Sequence, residues 1–235
     1  MQRSPDVLSV RCGTRCGIDP TRRLNDKVAV HPPASPELRG KMAKLETLCV
    51  YCGSSAGAAQ GYAGLAETLG QRCAEAGVRV VYGGGKVGLM GILADAALAA
   101  GGEVVGIIPE HLVRREVGHA LVSDYLVVDS MHARKQAMFE RADAFCVLPG
   151  GIGTLDEAVE ILTWKQLDLH DRPVVLIDHD GFWQPLLQLF AHQQAAGFLK
   201  PAHMRMFEVV ADVDGLFEAI ARHPEPSIPA RPERT

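Results

Sequence analysis

The stretch AFCVLPGGIGTLDE, residues 144–157, joins a wholly apolar run to a helix start through three glycines. Such an apolar run is typical of a strand that is buried on both faces of a parallel sheet. A glycine-rich turn that opens a helix presents bare backbone N–H groups, which bind anions such as phosphate. Thr154 and Glu157 add a hydroxyl and a carboxylate. The stretch therefore predicts a strand–loop–helix unit that holds a phosphorylated compound beside a chemically active acid.

The same residues allow a purely structural interpretation. Thr154 and Glu157 have the spacing of a capping box, in which each side chain binds a free backbone N–H group of the other residue. Gly150, Gly151 and Gly153 would then only permit a tight turn between strand and helix. This stretch alone leaves both interpretations open.

Outward from this stretch, apolar strands and helices alternate along the chain. The pattern predicts an α/β fold with one Rossmann-like, doubly wound, mainly parallel sheet and helices on both faces. Ligands of such folds bind outside the carboxyl ends of the strands. Strands are predicted at 46–52, 78–82, 103–108, 124–128, 143–148, 173–177 and 206–210, and helices at 59–76, 88–100, 131–142, 153–168, 182–196 and 212–222.

Composition sets the domain organisation. With 235 residues, 47% hydrophobic and 22% charged, the chain fits a single domain, predicted over 44–222. Residues 1–43 show no sustained periodicity. We expect this segment to be disordered, or to result from a start of translation assigned too far upstream. Residues 223–235 are proline-rich and are predicted to be a loose tail.

Charge and cysteine usage exclude several functions. Outside residues 1–43, 24 acidic residues face 16 basic ones, which argues against a nucleic-acid partner. No apolar run is long enough to span a membrane. Cys49 and Cys52 lie three apart on a strand, so they face opposite sides and cannot readily share a metal or a disulfide. We expect a reduced, cytoplasmic protein without a bound metal.

Two further loops follow apolar strands, VYCGSS (50–55) and YGGGKVGLMG (82–91). Their glycines let a ligand approach the backbone closely, although ordinary turns and a serine-capped helix start fit equally well. The glycine spacing resembles a dinucleotide fingerprint, but Glu103 opens a strand instead of ending one, so no dinucleotide cofactor is expected. Because each of these loops, like the 148–157 loop, follows the carboxyl end of a parallel strand, all three are expected at the same edge of the sheet.

A third segment, SMHARKQAM (130–138), gathers cations at a helix start. His132, Arg134 and Lys135 lie where the helix dipole disfavours positive charge, which indicates an anionic partner. Solvated surface charges remain an alternative for Arg134 and Lys135 taken singly. His132 fits either a buried structural histidine or a proton donor.

These four strings, in this order and spacing, resemble the Lonely Guy (LOG) family over roughly residues 45–215. Members are phosphoribohydrolases that release cytokinin bases from riboside 5′-monophosphates, and many relatives carry the label "possible lysine decarboxylase". The resemblance implies a homodimer and a catalytic pair formed by Arg134 and Glu157. The expected substrate-binding residues are Gly53, Ser54, Ser55, Gly84, Gly85, Met90, Met131, Lys135, Gly150, Gly151, Gly153 and Thr154.

Hydrolysis of an N-glycosidic bond needs a held phosphate, support for positive charge on the ribose, and a directed water. Glu157 suits the last two tasks, and the nearby charge of Arg134 favours its ionised form. The predicted partner is a purine nucleoside 5′-monophosphate, a cytokinin nucleotide or AMP, and no cofactor is expected. A non-catalytic nucleotide or molybdenum-cofactor carrier is the alternative. A lysine decarboxylase is disfavoured, because no segment offers a convincing lysine for pyridoxal phosphate together with a phosphate-binding loop.

Overall fold

The computed structural model describes residues 45–113 and 122–228, all of which belong to one compact unit, Arg39–Thr235. The predicted leader, 1–43, and the last part of the predicted tail, 229–235, lie outside the described residues. The strands are β1 (Thr47–Tyr51), β2 (Arg79–Tyr82), β3 (Val104–Pro109), β4 (Asp124–Val128), β5 (Ala144–Val147), β6 (Val174–Ile177) and β7 (Glu208–Val210). The helices are α1 (Gln60–Glu75), α2 (Gly88–Ala99), α3 (Glu110–Val113), α4 (Met131–Arg141), α5 (Ile152–Gln166), α6 (Gln184–Ala195) and α7 (Val213–Arg222).

The described strands form one sheet in the order β4-β3-β2-β1-β5-β6-β7, with every neighbouring pair parallel. In its centre, Cys49 of β1 pairs with Val81 of β2 on one side and with Phe145 of β5 on the other. The residues of β1, β3, β5 and β6 are all buried. The predicted α/β class and parallel sheet are confirmed.

Helices cover both faces of the sheet because successive strand side chains point to opposite sides. Leu48 and Val50 join a core that includes residues of α1, α2 and α7. Cys49 and Tyr51 join the opposite core, with residues of α4, α5 and α6. Cys52 belongs to the first core and Cys49 to the second, so the expected separation of these thiols is confirmed.

The direction of strand order reverses between β1 and β5. From β1 the chain winds through β2, β3 and β4, whereas β5, β6 and β7 extend the sheet on the other side. The loops after β1 and β5 therefore diverge and open a crevice between them, which is where ligands of doubly wound sheets bind.

The part of the predicted tail that the structure describes, residues 223–228, is fastened to the domain. The Asp171 carboxylate accepts hydrogen bonds from the backbone N–H and the hydroxyl of Ser227, both at 2.7 Å. It also accepts the N–H of Ile228 at 3.3 Å. Partial burial acts to raise the pKa of Asp171, but these hydrogen bonds outweigh it and lower the pKa. Proline content alone did not indicate this anchor.

Candidate active site

Backbone hydrogen bonds join the three predicted loops at the carboxyl edge of the sheet. The N–H of Gly53 donates to the carbonyl of Pro149 at 3.1 Å, and the Gly53 carbonyl accepts the N–H of Leu89 at 3.0 Å. Gly53 thus links the loop after β5 with the start of α2. The expectation that the three loops meet at one edge agrees with this arrangement.

Close packing of these loops requires glycine at two positions in particular. Gly88 has φ +61°, and a Cβ there would overlap the backbone of Ser54 and Ser55. Gly150 lies against Thr154, whose side chain would overlap a Cβ on Gly150. At Gly88 the loops approach backbone to backbone, and at Gly150 the backbone lies against the Thr154 side chain.

Helix α5 begins without a side-chain cap. It starts at Ile152, and its N-cap residue Gly151 provides no capping side chain. Thr154 is therefore the third helical residue and Glu157 the sixth, so the capping-box interpretation is wrong. The first N–H groups of a helix have no acceptor within the helix, and here they remain available to an anion.

Arg134 and Glu157 meet behind this helix start, as an ion pair at the edge of the crevice. Nη2 of Arg134 lies 3.7 Å from Oε1 of Glu157, and the two side chains are only 6% and 10% exposed. Nε of Arg134 is buried and has no hydrogen-bond partner among the described residues. A separation longer than a hydrogen bond, beside a free donor, leaves the pair able to take a ligand oxygen.

Two uncharged side chains, Tyr51 and Cys52, lie close to the pair. Tyr51 and Cys52 are both buried. Burial raises the pKa of the Cys52 thiol, Glu157 raises it further, and Arg134 partly opposes the change. The thiol therefore stays protonated at neutral pH and is a poor nucleophile.

Lys135 follows Arg134 but binds protein carboxylates. Its Nζ lies 3.2 Å from Asp156 and 3.0 Å from Glu160, both on α5. Burial acts to lower the pKa of Lys135, but the hydrogen bonds and charges of Glu160 and Asp156 outweigh it and raise the pKa. Lys135 was expected to bind the substrate, and its described contacts are to protein carboxylates.

The other predicted residues have varied surroundings. His132 is exposed, so the alternative of a buried structural histidine is wrong. A serine cap for α1 is also wrong, because α1 begins at Gln60 after Ala59 without a capping side chain. Gly84 (φ +75°) packs against β3, and a Cβ at this position would lie 3.1 Å from the backbone nitrogen of Ile107. Ser54, Ser55, Gly151 and Gly153 are exposed, Gly85 and Met90 are buried, and Met131 is half-buried.

A cavity of about 200 Å³ lies beside the loops. Two of its walls are aromatic side chains that were not predicted, Tyr62 and Phe182. Their rings meet edge to face, with centroids 5.5 Å apart. No motif marks these aromatic residues. Gly83 was expected, with the other glycines of the 82–91 loop, to let a ligand approach the backbone, but its contact with Arg134 was not foreseen. The cavity is lined by Gly53, Ser54, Ser55, Ala56, Gly57, Tyr62, Leu89, Pro149, Gly150, Gly151 and Phe182.

A larger open cavity, about 590 Å³, lies at the amino edge of the sheet. Its charged walls include Arg79 and Glu103, which pair with each other at 2.6 Å and are exposed. None of the predicted site residues lines it. Over residues 45–113 and 122–228, no three His, Cys, Asp or Glu side chains are placed to hold a metal. In the same ranges, no helix combines the length and apolarity that a bilayer crossing needs.

Residues 90–220 match a family model described as "Possible lysine decarboxylase". The chain is 43% identical over 176 residues to the cytokinin riboside 5′-monophosphate phosphoribohydrolase of Rhodococcoides fascians, covering 74% of this chain and 89% of that protein. It is 41% identical over 158 residues to cytokinin riboside 5′-monophosphate phosphoribohydrolase LOG1 of Arabidopsis thaliana, covering 67% and 74%.

Among solved structures, the chain is similar to the Moco carrier protein from Chlamydomonas reinhardtii. The TM-score is 0.58 at 23% identity, over 75% of this chain and 96% of that one. At this level of identity the likeness concerns the fold.

Proposed function

The chain belongs to the LOG family of cytokinin riboside 5′-monophosphate phosphoribohydrolases, and from this premise we propose that it hydrolyses the N-glycosidic bond of a purine riboside 5′-monophosphate. Water adds to the anomeric carbon, the bond from that carbon to the base nitrogen breaks, and the base leaves with a proton. The products are the free base and ribose 5-phosphate.

The phosphate is proposed to bind at the start of α5. Gly151 and Gly153 are exposed, and no side chain caps the helix, so its first N–H groups are free for phosphate oxygens. The Thr154 hydroxyl and the loop residue Gly150 complete this part of the proposed site. The positive end of the helix dipole favours the dianionic group.

Glu157 is proposed to act on the sugar. Its carboxylate stabilises positive charge that grows on the ribose ring and accepts a proton from the attacking water. Arg134 donates to a ribose or phosphate oxygen through Nε, which has no partner in the described protein. The observation that carries the proposal is this buried pair, 3.7 Å apart, beside an uncapped helix start.

The substrate we propose is a cytokinin nucleotide, with an N6-modified adenine, and AMP as the simpler substrate. The named relatives support the cytokinin nucleotide. A molybdenum-cofactor carrier remains the second candidate only through its fold. A carrier has no need of a buried carboxylate beside the arginine, so the Arg134–Glu157 pair favours the hydrolase.

We also propose a homodimer in the cytoplasm. Helix α5 exposes Ile152 (87%) and Val159 (40%), and Leu167 directly after it is also exposed (61%); a second copy would cover these apolar residues. The four described cysteines are free and buried, as expected in a reducing compartment.

The substitution Glu157→Gln tests the proposal. It keeps the size of the side chain and removes the negative charge, so we expect base release to fall by about 10²–10⁴ while nucleotide affinity is retained. Purified protein is incubated with AMP or isopentenyladenosine monophosphate, and the freed bases are separated and quantified.

Glu67→Gln is the matched control, since Glu67 is an exposed carboxylate on α1. It should release base at the rate of the unmodified protein, and thermal melting checks that both variants are folded. If the unmodified protein frees no base from either nucleotide, the proposed function is wrong.

A further inference from the structure

Gly83 follows β2 directly and lies under the Arg134 guanidinium. A Cβ at position 83 would overlap Nη2 of Arg134 and lie 3.0 Å from its Cζ. Any side chain at this position would therefore displace the group that lies 3.7 Å from Glu157. Arg134 is 5% exposed, so a displaced guanidinium has little room to move within the protein.

Backbone conformation does not explain this glycine. Gly84 and Gly88 have φ values of +75° and +61°, which side chains rarely adopt, whereas Gly83 is outside the left-handed region. An alanine could adopt the backbone of Gly83 without strain. Within the described protein, the space that the Arg134 guanidinium occupies is what requires glycine at this position.

We propose that Gly83 is a positioning residue: its missing side chain forms the seat that holds the Arg134 guanidinium against Glu157. The inference rests on the proposed function of that pair and adds a third residue to it. Met90 forms the other side of the seat, with Sδ 3.2 Å from the Cβ position of residue 83. The guanidinium is much closer to that Cβ position than the Met90 sulfur is, so Arg134 is the group that must move.

Gly83→Ala tests the seat. We expect kcat for base release to fall at least tenfold with a smaller change in KM, because the phosphate-binding loop after β5 is untouched. Gly64→Ala is the matched control, since a Cβ at Gly64 on α1 meets nothing within 4 Å. That variant should keep its kcat.

A double-mutant cycle separates the seat from a general effect on the loop. In an Arg134→Ala background the guanidinium is gone, so adding Gly83→Ala should change kcat less than twofold. The inference is wrong if Gly83→Ala lowers kcat equally in both backgrounds, or if it does not lower kcat in the protein that retains Arg134. Inactivity of the unmodified protein would instead refute the proposed function.

The same cycle remains informative if Gly83→Ala fails to fold. Thermal unfolding of Gly83→Ala/Arg134→Ala should then match that of Arg134→Ala, because the clash has been removed. If the double variant is as unstable as Gly83→Ala alone, the glycine serves something other than Arg134, and the inference is wrong.

Discussion

Two buried arginines lie at the two ends of α4, and their surroundings differ. Arg134 is in the first turn, where the helix dipole disfavours a cation. Arg172 lies at the other end, where Nη1 donates to the carbonyls of Phe139 at 2.6 Å and Ala142 at 2.8 Å. Its guanidinium also stacks 4.3 Å from the centre of the Phe139 ring.

The difference indicates what each arginine is for. Arg172 satisfies carbonyls that a helix end leaves without donors, so its burial stabilises the fold. Arg134 is buried where the helix dipole opposes its charge, and its Nη2 lies 3.7 Å from a carboxylate oxygen of Glu157. Burial in an unfavourable position persists when function requires it. On the proposed function, Arg134 at the carboxyl edge of the sheet serves the ligand, whereas Arg172 at the amino edge stabilises the protein.

The largest effect expected from this comparison is on activity, at Arg134. Arg134→Gln should lower kcat by about 10²–10³, the loss typical of removing one donor that stabilises transition-state charge. Its free energy of unfolding should change less than that of an Arg172 variant. Steady-state base release and urea denaturation measure the two quantities. A variant that retains turnover but unfolds easily would reverse the assignment of the two arginines.

The second effect is on stability, at Arg172. Arg172→Met keeps an apolar stem but removes two charged hydrogen bonds, so we expect a loss of about 3–4 kcal/mol in unfolding free energy. Activity per folded molecule should be unchanged. Arg79→Met removes an exposed arginine, 49% exposed and paired with Glu103, and should cost less than about 1 kcal/mol. Equal losses in the two variants would contradict a structural role for Arg172.

The third effect depends on pH and belongs to the amino edge. Burial, aided by the charges of Lys165 and Arg172, lowers the pKa of His170 to about 4, and the hydrogen bond to the Ile161 carbonyl only partly opposes this. The unfolded state binds the proton near pH 6.5. Stability is therefore complete above pH 6.5 and falls as the pH drops towards 4, by up to roughly 3 kcal/mol.

Urea denaturation from pH 7 to pH 4 measures this loss. His170→Gln removes the titrating group, so its stability should fall less steeply over the same range. Parallel curves for the variant and the unmodified protein would show that other groups cause the acid sensitivity. The Arg134→Gln variant should retain the full dependence of the unmodified protein.

The sequence predicted the fold well because the signals were local. Apolar runs and helical periodicity placed β4 at its observed bounds, and β1, predicted at 46–52, is found at Thr47–Tyr51. Right-handed crossovers and short connections leave only a few topologies for a set of parallel strands. The short helix α3 was missed because four residues carry no periodicity.

The site was predicted in part, for a similar reason. Gly53 and Gly150 end apolar strands, so topology alone brought their loops together. Tertiary contacts decided the rest: α5 begins at Ile152, two residues before the expected threonine cap, and Gly83 matters only because Arg134 lies on it. Arg172 carries no sequence pattern that distinguishes it from a surface arginine. Contacts between elements far apart in sequence leave no periodic signal.

The smallest effect concerns the link between the helices that carry the proposed catalytic pair. Lys135, the residue after Arg134 on α4, forms ion pairs with Asp156 and Glu160 of α5. Glu160 lies three residues after Glu157. Because Lys135 is only 12% exposed, the pairs should be worth up to about 1 kcal/mol. Lys135→Met should lower unfolding free energy by this amount and reduce kcat less than Arg134→Gln does.

Kinetics distinguish this link from direct substrate binding by Lys135. If the lysine only joins the helices, Glu160→Gln reproduces part of the loss, and the double variant with Lys135→Met adds little, since both remove one interaction. If Lys135 binds the nucleotide, Lys135→Met raises KM strongly and Glu160→Gln leaves KM unchanged. Measuring KM and kcat for the three variants therefore shows whether the charge beside Arg134 serves the ligand or the protein.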